Sequence, residues 1–122
     1  MIGRAEVEAL ALALPEATKV VLFRARLDVF KVRKKVFALC SEGDGLTFKA
    51  TAIAYAVLTE DGPGRPASGF TPGRGNWVNL PLSEVGADEA ADWIATSYRL
   101  VAATLTRKAQ AELGMSDVGL RA

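Results

Sequence analysis

Residues 27–40 read Leu-Asp-Val-Phe-Lys-Val-Arg-Lys-Lys-Val-Phe-Ala-Leu-Cys, two apolar arms on either side of a basic centre. Apolar residues recur in each arm at a period of two, which places alternate side chains on one face of a β-strand. The pattern predicts a β-hairpin with a positively charged tip. Phe30 is expected to lie opposite Phe37, in an aromatic pair that adds roughly 0.2 to 1 kcal/mol over an alanine pair.

The connection between the two arms is expected to be a four-residue loop. A two-residue type I′ turn needs positive φ at both central residues, and Asn or Gly usually provides it. The centre of this hairpin is Arg33-Lys34, which offers neither. The longer loop would project Arg33, Lys34 and Lys35 into solvent.

Composition predicts one folded domain. The chain has 122 residues, of which 50% are hydrophobic and 24% are charged, and this balance is typical of globular proteins. We expect the domain to span residues 1–114 and residues 115–122 to form a frayed C-terminal tail. The formal net charge is only +1, so any affinity for a polyanion must be local to part of the surface.

No secretory signal is evident, and no apolar run approaches the ~18 residues of a membrane span. We therefore expect a cytoplasmic protein that does not contact a membrane.

The sequence has no histidine and one cysteine, Cys40. Imidazole is the usual general base near neutral pH, so Ser-His-Asp and Cys-His catalysis are excluded. Cys40 lies in an apolar strand pattern, which favours a buried, small hydrophobic side chain.

Other reactive groups also favour a protein that is not an enzyme. Ser97 and Tyr98 stand together on a predicted helix, but a serine without histidine lacks an activating base unless a lysine serves. The pair is therefore expected to be structural.

Neighbouring carboxylates such as Asp88 and Asp92 could hold a hard cation, but surface acids of this kind are usually solvated helix positions. We expect no cofactor and no metal.

Helical spacing and strand patterns together indicate an α+β fold. Helices are predicted over 3–14, over 51–60 and from 87 to 114, with a bend or restart near Thr106. Strands are predicted over 19–23, in both hairpin arms, over 46–50 and over 77–82. The second helix is expected to bury Ile53, Ala54, Val57 and Leu58. This order of elements favours an antiparallel sheet of about four to five strands with helices packed on one face.

A long Gly/Pro-rich segment separates the second helix from the last strand. Residues 62–76 contain five glycines and three prolines, which excludes a regular element of any length. A loop of this size is typical of functional loops, and its charges are Arg65 and Arg74. Its Gly62–Ala67 part fits the letters of a dinucleotide motif. It follows a helix, however, and Pro66 stands where the phosphate-binding helix would begin, so we expect no nucleotide cofactor.

Six short segments resemble, in their order, the MmcQ/YjbR family. They are Leu14-Pro15-Glu16-Ala17, Phe30-Lys31-Val32, Lys35-Val36-Phe37-Ala38, Leu46-Thr47-Phe48-Lys49, Arg74-Gly75-Asn76-Trp77-Val78 and Ser97-Tyr98-Arg99-Leu100-Val101. The resemblance covers roughly residues 7–108. It implies a CyaY-like (frataxin-like) fold and a proposed role in DNA binding through two projecting wings. By position, the wings would be the hairpin around Arg33–Lys35 and the loop at 62–76. Iron binding is not implied, because the first helix lacks an acidic ridge.

Two interpretations of the basic hairpin remain open. Lys and Arg on projecting loops can contact phosphates without reading bases, but edge hairpins also carry Lys to prevent aggregation between strands. We predict weak DNA binding without sequence preference through Lys31, Arg33, Lys34, Lys35, Arg65 and Arg74. About five neutralised phosphates give a slope of log affinity against log salt of roughly −4 to −5. The alternative is a protein-interaction or small-ligand-binding module whose Gly/Pro loop closes over a partner, with Trp77 as anchor.

Overall fold

A computed structural model of the chain describes residues 2–22, 26–41, 45–67 and 76–114. The described elements are α1 (Arg4–Leu12), β1 (Ala17–Leu22), β2 (Leu27–Val32), β3 (Lys35–Ser41), β4 (Gly45–Ala50), α2 (Ala52–Ala56), β5 (Arg65–Pro66), β6 (Asn76–Leu80), α3 (Ala87–Ala102) and α4 (Arg107–Glu112). A π-helix (Val57–Asp61) continues α2, and a 3₁₀ turn (Leu82–Glu84) precedes α3. The predicted tail at 115–122 and Arg74 lie outside the described residues.

The six described strands form one antiparallel sheet in the order β1-β2-β3-β4-β6-β5. The predicted α+β class is confirmed, with one strand more than expected. The additional strand is β5, within the Gly/Pro-rich segment that was expected to hold no regular element. Arg65 pairs with Asn79 and Pro66 pairs with Val78. Pro66 is tolerated because β5 is at the sheet edge, where a missing N–H interrupts no further ladder.

Helices cover one face of this sheet, which we call the first face; it is the face of Phe30, Phe37, Phe48, Leu46 and Val78, all fully buried. Phe48 of β4 stacks on Trp93 of α3 with ring centroids 5.3 Å apart. Phe37 of β3 meets Tyr98 of α3 edge-on at the same centroid distance, 5.3 Å. The predicted packing of helices over an apolar sheet face is confirmed by these contacts.

The hairpin turn is shorter than predicted. β2 ends at Val32 and β3 begins at Lys35, so the turn has two residues, Arg33 and Lys34, with φ of 47° and 71°. The expected four-residue loop is therefore wrong. A type I′ turn matches the right-handed twist of the strands, and that fit overrides the preference of two non-glycine residues for negative φ.

The hairpin register also differs from the prediction. Phe30 pairs with Ala38, because the register shifts between Phe30 and Lys31. Phe37 is left as an extra residue in β3, a β-bulge, which the strict period of two in the sequence conceals. The predicted pair of Phe30 with Phe37 across the strands is therefore wrong, and Phe37 instead contacts Tyr98.

Ser97 completes the hydrogen bonding that the bulge interrupts. β3 and β4 pair as far as Ala38 with Phe48. One position further, Ser97 Oγ accepts a hydrogen bond from the Lys49 N–H at 2.8 Å and donates one to the Phe37 carbonyl at 2.6 Å. The hydroxyl thus bridges two strand backbones from α3, and Ser97 is completely buried. These contacts agree with the structural interpretation of this serine.

The second helix buries a different side from the one predicted. Thr51 caps it as expected, since its Oγ1 accepts the Ala54 N–H at 3.2 Å. Ala54 and Leu58 pack against the core, but Ile53 and Val57 are 80% and 57% exposed. The change to a π-helix widens the turn, so the 3.6-residue spacing does not hold from α2 into the residues after it.

The C-terminal helices follow the sequence signals closely. The predicted restart occurs at Thr106, whose Oγ1 accepts the Ala109 N–H at 3.1 Å. Gly114 follows α4 with φ of 74°, the left-handed conformation that favours glycine after a helix. Among the described residues, no helix is long and apolar enough to span a membrane.

Candidate anion-binding surface

The face of the sheet opposite the first face carries cations but no carboxylate. We call it the second face, and its described strand positions are Thr18, Val20, Leu22, Leu27, Val29, Lys31, Val36, Leu39, Ser41, Gly45, Thr47, Lys49, Arg65, Trp77 and Asn79. Val29, Leu39 and Trp77 on this face are buried members of the core, so both faces of the sheet contribute to it. Three of the second-face positions are basic and none is acidic.

The three cations of the second face form a row across the sheet. Lys31 lies on β2, Lys49 on β4 and Arg65 on β5. Successive members are two strands apart in the sheet order, about 10 Å at normal strand spacing. The row is not straight, because Lys49 pairs with Trp77 whereas Arg65 pairs with Asn79, two residues further along β6. Within the described part of the chain, none of the three has an ion pair or a side-chain hydrogen bond.

Two cations on or next to the first helix are, in contrast, paired with acids. Arg4 of α1 lies 2.8 Å from the buried carboxylate of Asp28 on β2. Lys19 of β1 binds Glu8 of α1, and this hydrogen bond raises the pKa of Lys19 above its ordinary value. The near-neutral total charge therefore conceals an uneven distribution, in which the second face holds charge that no described neighbour compensates.

Arg33, at the hairpin turn, does not project freely into solvent as predicted. Its Nε and Nη2 donate to the two carboxylate oxygens of Glu16 at 2.7 and 3.0 Å, and Nη1 donates to Glu112 at 3.1 Å. These hydrogen bonds raise the pKa of Arg33 and lower that of Glu16. A bidentate pair of this kind fixes geometry as well as charge. Arg33 thus fastens the turn to the start of β1 and to α4.

Lys34 and Lys35 keep the predicted position. Both are exposed, and neither has an ion pair with another described residue. Lys31 lies on the same hairpin, close to the turn. We use the name basic surface for these residues together with the row on the second face, that is, for Lys31, Lys34, Lys35, Lys49 and Arg65.

The hairpin and the Gly/Pro-rich segment share one end of the sheet. β3 begins beside the turn, and β4 runs antiparallel to it and ends at Ala50. Asn76 pairs with Ala50, and the Ala67 N–H donates to the Trp77 carbonyl. Ala67 and Asn76 therefore both lie at the end of the sheet that carries the turn. Arg74 belongs to the part that lies outside the described residues.

Lys49 is the member of this surface that sequence reasoning missed. The prediction took its basic residues from the hairpin and the Gly/Pro-rich loop and gave Lys49, on another predicted strand, no role in binding. A signal was present, because Leu46, Phe48 and Ala50 alternate and are buried, which places Lys49 on the opposite face. Lys49 is also the Cα partner of Trp77 on β6, so the two residues lie side by side on the second face.

Trp77 is not placed as a surface anchor. It is only 4% exposed, and its indole Nε1 has no hydrogen-bond partner among the described residues.

Tyr98 is also structural, since its hydroxyl donates to the Pro15 carbonyl at 2.7 Å and burial raises its pKa. The described residues include no group of three or more potential metal ligands.

Burial makes Cys40 a poor nucleophile. It is 1% exposed, and burial raises the pKa of its thiol to about 11. Because the thiolate is the reactive form, we expect iodoacetamide at about pH 8 to alkylate Cys40 at least about tenfold more slowly in the native protein than in urea. Mass spectrometry over time measures both rates. Equal rates would show that the thiol is accessible in the folded state.

The fold and this surface define a small α+β protein with one sheet, covered by helices on one side and carrying unpaired cations on the other. The family model YjbR matches residues 12–100. The chain therefore belongs to the YjbR family, and the resemblance found in the sequence is confirmed.

One solved structure supports the fold assignment. It is the crystal structure of Deinococcus radiodurans protein DR2400, with the domain DUF419, which is similar to this chain at 22% sequence identity and a TM-score of 0.76. The alignment covers 92% of this chain and 88% of that protein. At this identity the likeness concerns the fold alone. A search of curated proteins gave no match.

Proposed function

We propose that this YjbR-family protein binds DNA weakly, through phosphate contacts and without sequence preference. Lys34 and Lys35 at the hairpin turn and Lys31 and Arg65 on the second face are the contacting residues. The observation that carries the proposal is their lack of described carboxylate partners. The proposal includes a binding role without catalysis and the cytoplasmic location expected from the sequence.

The position of these cations argues against a purely protective role. Lysines that prevent aggregation are needed at sheet edges. β2 and β3 are interior strands, and the edges of the sheet are β1 and β5. Neither the turn lysines nor Lys31 therefore covers an exposed edge, which leaves contact with an anionic partner as the favoured role.

Arg33 was predicted to contact phosphate, but in this proposal it has a structural role. Its guanidinium is occupied by two carboxylates, so it serves by holding the neighbouring lysines in place. Arg74, which lies outside the described residues, stays a predicted contact. The alternative of a protein-interaction or small-ligand module gains no specific support, because its proposed anchor Trp77 is buried.

Duplex DNA binding is expected to be strongly salt-dependent. The four described contacts give a slope of log affinity against log salt of about −3.6, to which Arg74 would add about −0.9, and a dissociation constant of about 10⁻⁴ to 10⁻⁶ M is usual for such binding. Fluorescence anisotropy of a labelled duplex at about 50 and 200 mM salt measures both quantities. The paired change Lys34→Glu with Lys35→Glu should reduce affinity at least about tenfold, since two contacts become repulsive.

A matched control separates a local site from general charge attraction. Arg107→Glu with Lys108→Glu makes the same charge change at the first turn of α4, where acidic residues suit the helix dipole. This control should change affinity by less than about threefold, because α4 contributes none of the proposed contacts. Absence of binding at low salt, a slope near zero, or equal losses in the two double variants would refute the proposal.

A further inference from the structure

The two edges of the described sheet, β1 and β5, differ in their protection against pairing with another chain. β5 has two residues, one of them Pro66, and a short edge strand with proline resists strand addition. β1 has six residues in unbroken register with β2 and contains no proline. Its one charged residue, Lys19, is bound to Glu8 of α1. β1 therefore keeps a long, regular edge that these features do not block.

The middle of β1 is accessible. Thr18, Lys19 and Val20 are all exposed, and Val20, at 40%, is one of four large apolar side chains that are exposed in the described part of the chain. Leu12 is also 40% exposed, and it follows Glu8 by one helical turn, on the side of α1 that contacts β1. Apolar groups therefore border this edge on both faces of the sheet.

The hydrogen bonds of β2 show which backbone groups of β1 are free. The two-residue turn pairs Val32 with Lys35, so the Val32 carbonyl faces β3. In an antiparallel ladder this direction alternates along the strand. Val29, three positions earlier, therefore bonds to β1, where its partner is Val20.

Lys19 and Val21, on either side of Val20, consequently direct their N–H and C=O groups away from the sheet. Ala17 has the same direction as these two residues, and its N–H donates to the Leu14 carbonyl at 3.1 Å, outside the sheet. The open edge thus offers two N–H donors and two C=O acceptors to a further strand.

We propose that β1 pairs with β1 of a second copy of this chain, antiparallel and centred on Val20. In this register Lys19 of each copy lies opposite Val21 of the other, and their outward groups form four hydrogen bonds. Val20 then faces Val20 across the symmetry axis, which buries an exposed apolar pair. A register centred on Lys19 is disfavoured, because like charges directly opposite each other are destabilising.

A second copy fits this edge because antiparallel pairing makes the two partners identical in hydrogen bonding and in shape. The charge is also compatible, since Lys19 is compensated by Glu8 in each copy and the two edges do not repel each other. This association goes beyond the proposed function and does not require nucleic acid.

Sedimentation equilibrium from about 10 µM to about 1 mM protein tests the proposal, since a small interface gives a weak dimer. The average mass should rise from 12.9 kDa to more than about 1.5 times this value. Val20→Lys should weaken the dimer at least about tenfold, because two cations then meet at its centre. Val57→Lys is the matched control, as Val57 is 57% exposed on the π-helix, and it should change the dissociation constant less than about threefold.

A mixture of two variants tests the register itself. Val20→Lys and Val20→Glu should each be monomeric over most of the range, whereas an equimolar mixture should dimerise, because opposite charges then face each other. Circular dichroism verifies that each variant is folded. A mass that stays at the monomer value up to about 1 mM, equal losses for Val20→Lys and Val57→Lys, or a mixture that stays monomeric would each overturn the proposal.

Hydrogen exchange gives a second measurement on the unaltered protein. The amide hydrogens of Lys19 and Val21 should exchange at least about threefold more slowly at the highest concentration than at the lowest, because pairing protects them only in the dimer. The amide hydrogens of Thr18 and Val20, which bond to β2, should be protected at both concentrations. Exchange at Lys19 and Val21 that does not depend on concentration would show that this edge stays unpaired.

Discussion

Ser97→Ala is expected to lower the free energy of unfolding by about 2 to 6 kcal/mol, because it leaves two backbone groups inside the fold without partners. The Lys49 N–H and the Phe37 carbonyl both depend on the Ser97 hydroxyl, at 2.8 and 2.6 Å. Each buried group left unsatisfied costs about 1 to 3 kcal/mol. Urea denaturation followed by circular dichroism measures the loss.

The two backbone groups cannot simply bond to each other in this variant. Closing the ladder directly would remove the bulge at Phe37 and shift the register, and a shift of one residue moves side chains to the opposite face. Ser83→Ala is the matched control, since Ser83 is exposed and such surface changes stay within about 0.5 kcal/mol. A loss of less than about 1 kcal/mol for Ser97→Ala would show that the bridge is dispensable.

Gly45→Ala is expected to destabilise the protein by at least about 3 kcal/mol, which is at the high end for a single substitution. Gly45 has a φ of 93°, and a Cβ atom there would lie 2.2 Å from the Leu80 carbonyl oxygen and 2.9 Å from the Pro81 Cα. These obstacles are backbone atoms of the neighbouring strand β6 and the residue after it. A methyl group can be accommodated only if β4 and β6 move apart. Thermal and urea denaturation measure the effect.

Gly114→Ala separates the two causes of this effect. Gly114 also has positive φ, 74°, but no atom of the described residues lies within 4 Å of a Cβ built there. Its substitution by Ala should cost only the conformational penalty, about 1 to 2 kcal/mol. If Gly45→Ala proves no more destabilising than Gly114→Ala, the close approach of the two strands is not a constraint on this fold.

Local signals in the sequence predicted most of the elements. Period-two alternation located the hairpin, and Thr51 and Thr106 marked helix starts that the structure has. The bulge at Phe37 could not be predicted, because the group that satisfies its carbonyl is Ser97, 60 positions later in the chain. The buried side of the second helix was also mispredicted, since a π-helix turn has no clear signature in apolar spacing.

The candidate site was predicted in part. The basic residues near the hairpin turn were identified from the sequence, but the environment of Arg33 was not, because Glu112 lies 79 positions away in the chain. Lys49 was missed although strand alternation placed it opposite the core. Its significance appears only when the sheet order brings it between Lys31 and Arg65.

By itself, the sequence determined the α+β class, the family, and which segments are basic, because these follow from local periodicity, capping residues and ordered motifs. Only the tertiary structure decided which cations are compensated. Arg4, Lys19 and Arg33 find carboxylates on other elements, whereas Lys31, Lys49 and Arg65 fall on a face where the described strands place no acid. Charge compensation depends on distance in space, and distances between elements are set by strand order and helix packing rather than by position along the chain.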